Sequence, residues 1–270
     1  MARADIRRSG SESSMSNFCY WSIGDGEHGQ MLRTLVKSAR SVGVTEDIHV
    51  WSDIDIPDCT VHKIGTNSFD KSLYLFKLHF LRDEVSKLDY RYYIFIDADC
   101  FFVRKPPRIL LNGSSPLHVT LESYCPNPEN RRPDWWSCPL DKYEGLMRTA
   151  GVYSKRIYNC NAGFWIVDRL AIDVINELCF TFHDFCKQKG YTFTEEAPLA
   201  YAMQMLCADT EPHTLHNTSD VWASDWIGIY KDKLPDGKPF EFEDYFTGKR
   251  FIVDPAIVHA MRSKDVMKNG

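Results

Sequence analysis

The chain has 270 residues, 44% of them hydrophobic and 26% charged, with a formal net charge of −5 and a pI near 6.0. This composition excludes a fibrous or largely disordered chain, and the acidic balance excludes general attraction to nucleic acid or to an anionic membrane surface. No apolar run approaches the roughly 20 residues that span a bilayer, and the N-terminal stretch lacks the apolar core of a signal peptide, so the expected location is cytoplasmic.

Residues 1 to 16, MARADIRRSGSESSMS, are basic and then Ser-rich, with almost nothing to bury, and are expected to form a flexible tail. One α/β domain is expected over 17–270, with residues 17–107 as a nucleotide-binding half and 108–270 as an acceptor-binding half. NFCYWSIG reads as a strand ending at Gly24-Asp25-Gly26, followed by a helix from about Glu27 to Val42 with Met31, Leu35 and Ala39 on one face. DIHVWSD is a second strand, and this alternation implies a parallel, right-handed βαβ unit. A helix over 71–88, burying Leu75, Leu78 and Leu81, leads into the strand YYIFIDADC.

After Pro106-Pro107 come the strand LHVTLES, a loop with Trp135 and Trp136, the strand GFWIV, and a helix near 170–186. A further helix is expected over 196–207, with Leu199, Met203 and Leu206 as its apolar stripe. KRFIVDPAIVHAM closes the ordered part. The nine cysteines contain no C-x-x-C pair and read as free thiols. The sequons at Asn112 and Asn217 carry meaning only in a secreted chain.

Asp97 and Asp99 stand in an otherwise apolar run, YYIFIDADCFF. Side chains alternate along a strand, so two acids two residues apart project together, with Cα atoms roughly 7 Å apart. Two buried carboxylates repel one another and call for a cation or strong donors. At the carboxyl end of a parallel strand, where α/β folds place ligands, a divalent ion meets that need, and oxygen ligands suit Mn2+ or Mg2+. Taken alone, the D-x-D reads equally as a pair of acids capping a turn.

YYIFIDADCFFVRKPP resembles the D-x-D motif of GT-A-fold glycosyltransferases, in which a strand ends in acids that hold a metal-bound nucleotide sugar. Three more segments follow the order of the glycogenin-like retaining family: YLFKLHFL (Tyr74 to Leu81), YNCNAGFWIV (Tyr158 to Val167) and IVHAMRSK (Ile257 to Lys264). The last departs from the family's H-x-x-G-x-x-K-P: the glycine and proline are missing and the lysine is one residue closer. The resemblance covers about 18–264 and implies a Rossmann-like mixed sheet flanked by helices. It further implies metal-dependent transfer of a sugar from a UDP-linked donor to a hydroxyl of a glycan acceptor.

On that resemblance Asp97, Asp99 and His259 would hold the metal. Tyr74, Lys77, Asp97, Ala98, Asn161, Gly163 and Lys264 would meet the donor. Arg82 and Arg262 are further cations for a diphosphate. The three glycines of SIGDGEHG allow close backbone approach, making Ser22, Gly24 and Asp25 candidate nucleotide contacts. Glu195 and Glu196 open a helix that Thr194 is expected to cap, and Glu196, then Glu195, is the candidate base or electrostatic stabiliser. Trp135, Trp136, Trp222 and Trp226 read either as sugar-stacking faces or as core. Retention follows from the resemblance, while an acid at Glu196 also suits inversion. The alternatives are a D-x-D phosphatase with Asp97 as nucleophile, or a non-catalytic carbohydrate-binding protein of the same fold.

Overall fold

A computed structural model describes residues 18–65, 75–107, 115–127, 129–207, 215–216, 221–224, 228–230, 240–244 and 247–260. The expected tail, both sequons, Tyr74, Trp226, Arg262 and Lys264 lie outside them. The elements in chain order are β1 (Phe18–Ile23), α1 (Glu27–Ser41), β2 (Ile48–Ser52), β3 (Thr60–Lys63), α2 (Phe76–Asp83), β4 (Tyr92–Ile96) and β5 (Cys100–Phe102). Then follow β6 (Leu117–Cys125), β7 (Asp134–Trp135), β8 (Cys138–Pro139), α3 (Leu140–Thr149), β9 (Ile157–Asp168), α4 (Ile172–Gln188) and α5 (Glu196–Leu206). The last are β10 (Leu215–His216), β11 (Trp222–Ser224), β12 (Gly228–Tyr230), β13 (Phe240–Asp244), β14 (Arg250–Val253) and β15 (Ile257–His259).

Seven strands form one mixed sheet in the order β10-β6-β9-β4-β1-β2-β3. β4, β1, β2 and β3 run parallel, and β9 is antiparallel to both β4 and β6. The sheet therefore takes strands from both expected halves. Along β4, Tyr93 and Phe95 face one core and Ile94 and Ile96 the other, as strand alternation requires. The first core also takes Leu78 and Leu81 of α2 and the buried faces of α3, α4 and α5. The second takes Met31, Leu32, Leu35, Val36 and Ala39 of α1.

After β1, β2 and β3 extend the sheet in one direction, while β4 lies on the other side of β1. The carboxyl ends of β1 and β4 thus flank a reversal of strand order, the place where open α/β sheets form a crevice for ligands. Ser22 Oγ donates to Ile96 O at 2.6 Å and ties the two ends together. A small second sheet, β11-β15-β5, brings the end of the chain back to this point.

Two expectations require correction. Within the described part of the helix anticipated over 71–88, α2 ends at Asp83 and is followed by a single 3-10 turn at Val85–Lys87, because Glu84 leaves the helical region at φ −124°; residues 71–74 lie outside the described residues. The strand expected to contain the acids ends at Ile96. Asp97 to Asp99 form a turn closed by Cys100 N donating to Asp97 O at 3.1 Å. The two acids share one side of the chain by a tight reversal instead of by pleat alternation. The nine cysteines are free thiols, as their spacing implied. Among the described residues, no helix is long and apolar enough to cross a membrane.

Candidate active site

The acid turn follows the middle strand of the seven, and β15, α2, α5, β6 and β9 gather around it. β15 contributes His259, whose Nε2 lies 3.0 Å from Asp99 Oδ1 and 3.8 Å from Asp97 Oδ2. Its position is set by pairing: His259 opposes Cys100 on β5 and Ser224 on β11, and Ala260 N donates to Asp99 O at 2.9 Å. Ser224 Oγ lies 3.3 Å from His259 Nδ1, and with the proton on Nδ1 the Nε2 lone pair points toward the acids. Trp222 is fully buried and packs against the imidazole, with ring centroids 5.2 Å apart.

α2 contributes Lys77. Its Nζ lies 2.8 Å from Asp97 Oδ1, 2.6 Å from Glu195 Oε1 and 4.9 Å from the centroid of the Phe95 ring. Burial alone would lower the pKa of this ammonium, but Asp97 and Glu195 outweigh that and raise it, so Lys77 is a permanent cation. Asp97 is itself pushed upward, by burial first and by the neighbouring Asp99, against the pull of Lys77 and His259.

α5 contributes Glu195 and Glu196. Glu195 is the residue before the helix and Thr194 does not cap it: Glu195 has helical dihedrals, no side chain bonds the first turn, and Thr194 Oγ1 has no hydrogen-bond partner among the described residues. Glu196 lies in the first turn, with Oε2 buried and without a hydrogen-bond partner among the described residues. Burial, then the adjacent Glu195, push its carboxyl up to about 8.

β6 and β9 supply a feature that strand reading alone passed over. Glu122 of β6 accepts from Asn159 Nδ2 at its Oε2 and from Asn161 Nδ2 at its Oε1, both at 3.0 Å. Asn159 and Asn161 are two apart on β9 and therefore share a face. Burial pushes Glu122 up to about 7, against the two amide donors. Asn161 Oδ1 in turn accepts from Gly163 N at 2.7 Å, and Asp97 N donates to Gly163 O at 2.8 Å. A Cβ on Gly163 would lie 2.8 Å from Asn161 Oδ1 and 2.8 Å from His259 Cε1, so only glycine lets these two side chains stand so close. The signal in the sequence was an acid inside LHVTLES and the paired asparagines of YNCN.

The structure thus brings together Lys77, Asp97, Asp99, Asn161, Gly163, Glu195, Glu196 and His259 of the expected residues, with Ala98 buried in the turn. Ser22 is occupied by Ile96 O. Gly24 N donates to Trp51 O, Asp25 is buried at the start of α1, and a Cβ on Gly24 would lie 2.9 Å from His28 Cβ. Trp135 is buried against Tyr143 at 5.0 Å and Trp136 is partly buried against Tyr143 and Phe193, so both fill the core around α3. Arg82 pairs with Asp83 on the outer surface of α2.

Five carboxylates, Asp97, Asp99, Glu122, Glu195 and Glu196, gather around Lys77 and His259 and act on one another electrostatically. Among the described residues, Asp99, Cys100 and His259 are the metal-ligating types whose atoms lie within 4.8 Å of one another. Cys100 is held as a thiol, its pKa raised by burial and by Asp99 and Asp97, so it is a poor ligand for a hard ion. Asp99 and His259, with Asp97 Oδ2 at 3.8 Å from the imidazole nitrogen, give oxygen and nitrogen donors that fit Mn2+ and, with oxygens favoured, Mg2+. The fold and site define an α/β protein with a buried acidic cluster at the carboxyl end of its central parallel strand. No protein-family model matches the chain, and no curated protein matches it.

Proposed function

We propose that this protein is a metal-dependent glycosyltransferase of the GT-A fold type that moves a sugar from a nucleoside diphosphate donor, UDP-linked on the strength of the motif resemblance, to a hydroxyl of a glycan acceptor. The observation that carries this reading is the Asp97–Asp99 turn at the reversal of strand order, with His259 returned to it from the far end of the chain. Excess buried carboxylate at a crevice is expensive without a cation, and a nucleotide sugar arrives with one.

Asp97, Asp99 and His259 would hold Mn2+ or Mg2+, whose contribution is to neutralise charge on the departing diphosphate. Lys77 orients Asp97 and Glu195 and adds a permanent positive charge beside the acid turn. Gly163 lets the Asn161 and His259 side chains close together beside the acid turn. Asn161, its amide fixed by Glu122 and Gly163 N, presents a set orientation to sugar hydroxyls. Glu196, its carboxyl pushed up to about 8, has no competing hydrogen bond at Oε2 among the described residues, which suits transfer of the acceptor's proton.

Calorimetric titration of UDP with Mn2+, and again in chelator, tests the reading. Binding is expected only with the metal and is expected to be lost in Asp99→Asn while the variant stays folded by circular dichroism. Equal UDP affinity in chelator overturns the site. Phosphate release from a simple phosphomonoester, without any response to UDP-sugars, points instead to a phosphatase.

A further inference from the structure

We propose that His49 and His62 form an acid-sensitive latch between β2 and β3, closed while the two imidazoles hold at most one added proton and open when both are charged. It stands apart from the glycosyltransferase reading and needs no ligand.

Among the described strands, β3 lies at the end of the seven-stranded sheet and pairs with β2. His62 opposes Trp51 there, so His49, two residues earlier on β2, shares its face. His49 Nδ1 lies 3.0 Å from His62 Nε2, and His49 Nε2 lies 3.0 Å from the Tyr90 hydroxyl, which donates to Asp47 Oδ2 at 2.7 Å. A carboxylate only accepts, so Tyr90 gives its one proton to Asp47 and can only accept from His49. Burial, then the bond to Asp47, raise the pKa of Tyr90 and keep that proton in place. His49 therefore carries its proton on Nε2 and offers a lone pair at Nδ1, and His62 donates to it from Nε2. The ring centroids, 5.3 Å apart with 25° between the planes, set the two rings end to end, as such a bond requires.

A first added proton goes to His62 Nδ1, outside this bond. Glu84 at the end of α2 favours it there, and the charged ring stacks on Trp51 at 4.2 Å. A second proton has only His49 Nδ1 to occupy, which sets two N–H groups head on and puts two like charges in contact. Burial, then His62, lower the pKa of His49 against Asp47, and burial lowers that of His62 against Glu84. Of the other groups nearby, Lys87 lies 3.0 Å from Glu84, and the Cys19 thiol beside Tyr90 is kept protonated by burial. Because both imidazole pKa values are lowered, the latch's stability is present above about pH 6.5 and is lost as the pH falls through the folded values. Opening takes His62 off Trp51, whose ring also meets Phe80 of α2 edge-on at 5.2 Å.

Amide hydrogen exchange by NMR at pH 7 and pH 4.5, expressed as protection factors, tests the latch. Between the two conditions, protection over residues 60–63 is expected to fall at least about tenfold more than over residues 92–96 of β4. In His49→Gln the two strands should change together to within about threefold, since two charged rings can no longer face one another and an amide offers either a donor or an acceptor. If His49→Gln does not fold by circular dichroism, His62→Gln, at the sheet edge, takes its place with the same expectation. Wild-type β3 that loosens no more than β4, or a folded variant that loses β3 protection as the wild type does, overturns the proposal. Nitrogen-15 correlation spectra at pH 8 should show His49 protonated on Nε2, and a proton on Nδ1 instead overturns it as well.

Discussion

Glu196 and Glu122 hold their protons more tightly in the folded chain than an ordinary glutamate, at about 8 and about 7 against 4.5, chiefly because burial penalises their charged forms. An acid raised in this way contributes stability that is fully present below about pH 4.5 and is lost as the pH rises through its folded value. In the presence of chelator, thermal melts should therefore show stability falling from pH 6 to pH 9, and Glu196→Gln should flatten the upper part of that decline. A variant profile parallel to the wild type would show that Glu196 ionises without penalty. Gly163 acts by what it lacks. Gly163→Ala should cost about 1–3 kcal/mol by urea denaturation, since the new methyl meets both Asn161 and His259. Mn2+-dependent UDP binding should weaken by about tenfold or more with it.

At the level of elements, α2 matters for the one residue it delivers. Leu78 and Leu81 are fully buried in the core shared with α4 and α5, and this anchoring sets the height at which Lys77 meets Asp97 and Glu195. Leu78→Ala should cost about 2–5 kcal/mol by chemical denaturation, and a cost near zero would show that α2 is loosely held. β1, β2 and β4 were legible in the sequence as near-continuous apolar runs buried on both faces, and α1 because its apolar residues keep one helical period. The acid turn was read as strand because the run of aromatic and branched residues continues on both sides of it, and the reversal at Asp97 depends on pairing with β9 and β15, distant in sequence. Glu122 escaped notice for a related reason. An isolated acid in a strand has meaning only once the strand beside it, with Asn159 and Asn161, is known.

Considered whole, the molecule has two cores on opposite faces of one sheet, and β4 and β9 contribute side chains to both. Such sharing predicts a single cooperative unfolding transition, in which tryptophan fluorescence and near-ultraviolet circular dichroism coincide. Trp21 and Trp165 report on the first core and Trp222 on the second. Trp222→Phe should leave the remaining fluorescence transition superposed on the circular dichroism curve of the same variant. Two separated transitions would indicate independent halves. The positions of the candidate site residues in the chain have a bearing on biosynthesis. Asp99 emerges from the ribosome 160 residues before its partner His259, and β15 cannot pair with β5 until that intervening stretch has been made. A nascent or prematurely terminated product would carry the acids without the imidazole, so the proposed ion site would be complete only in polypeptides whose translation has run past His259.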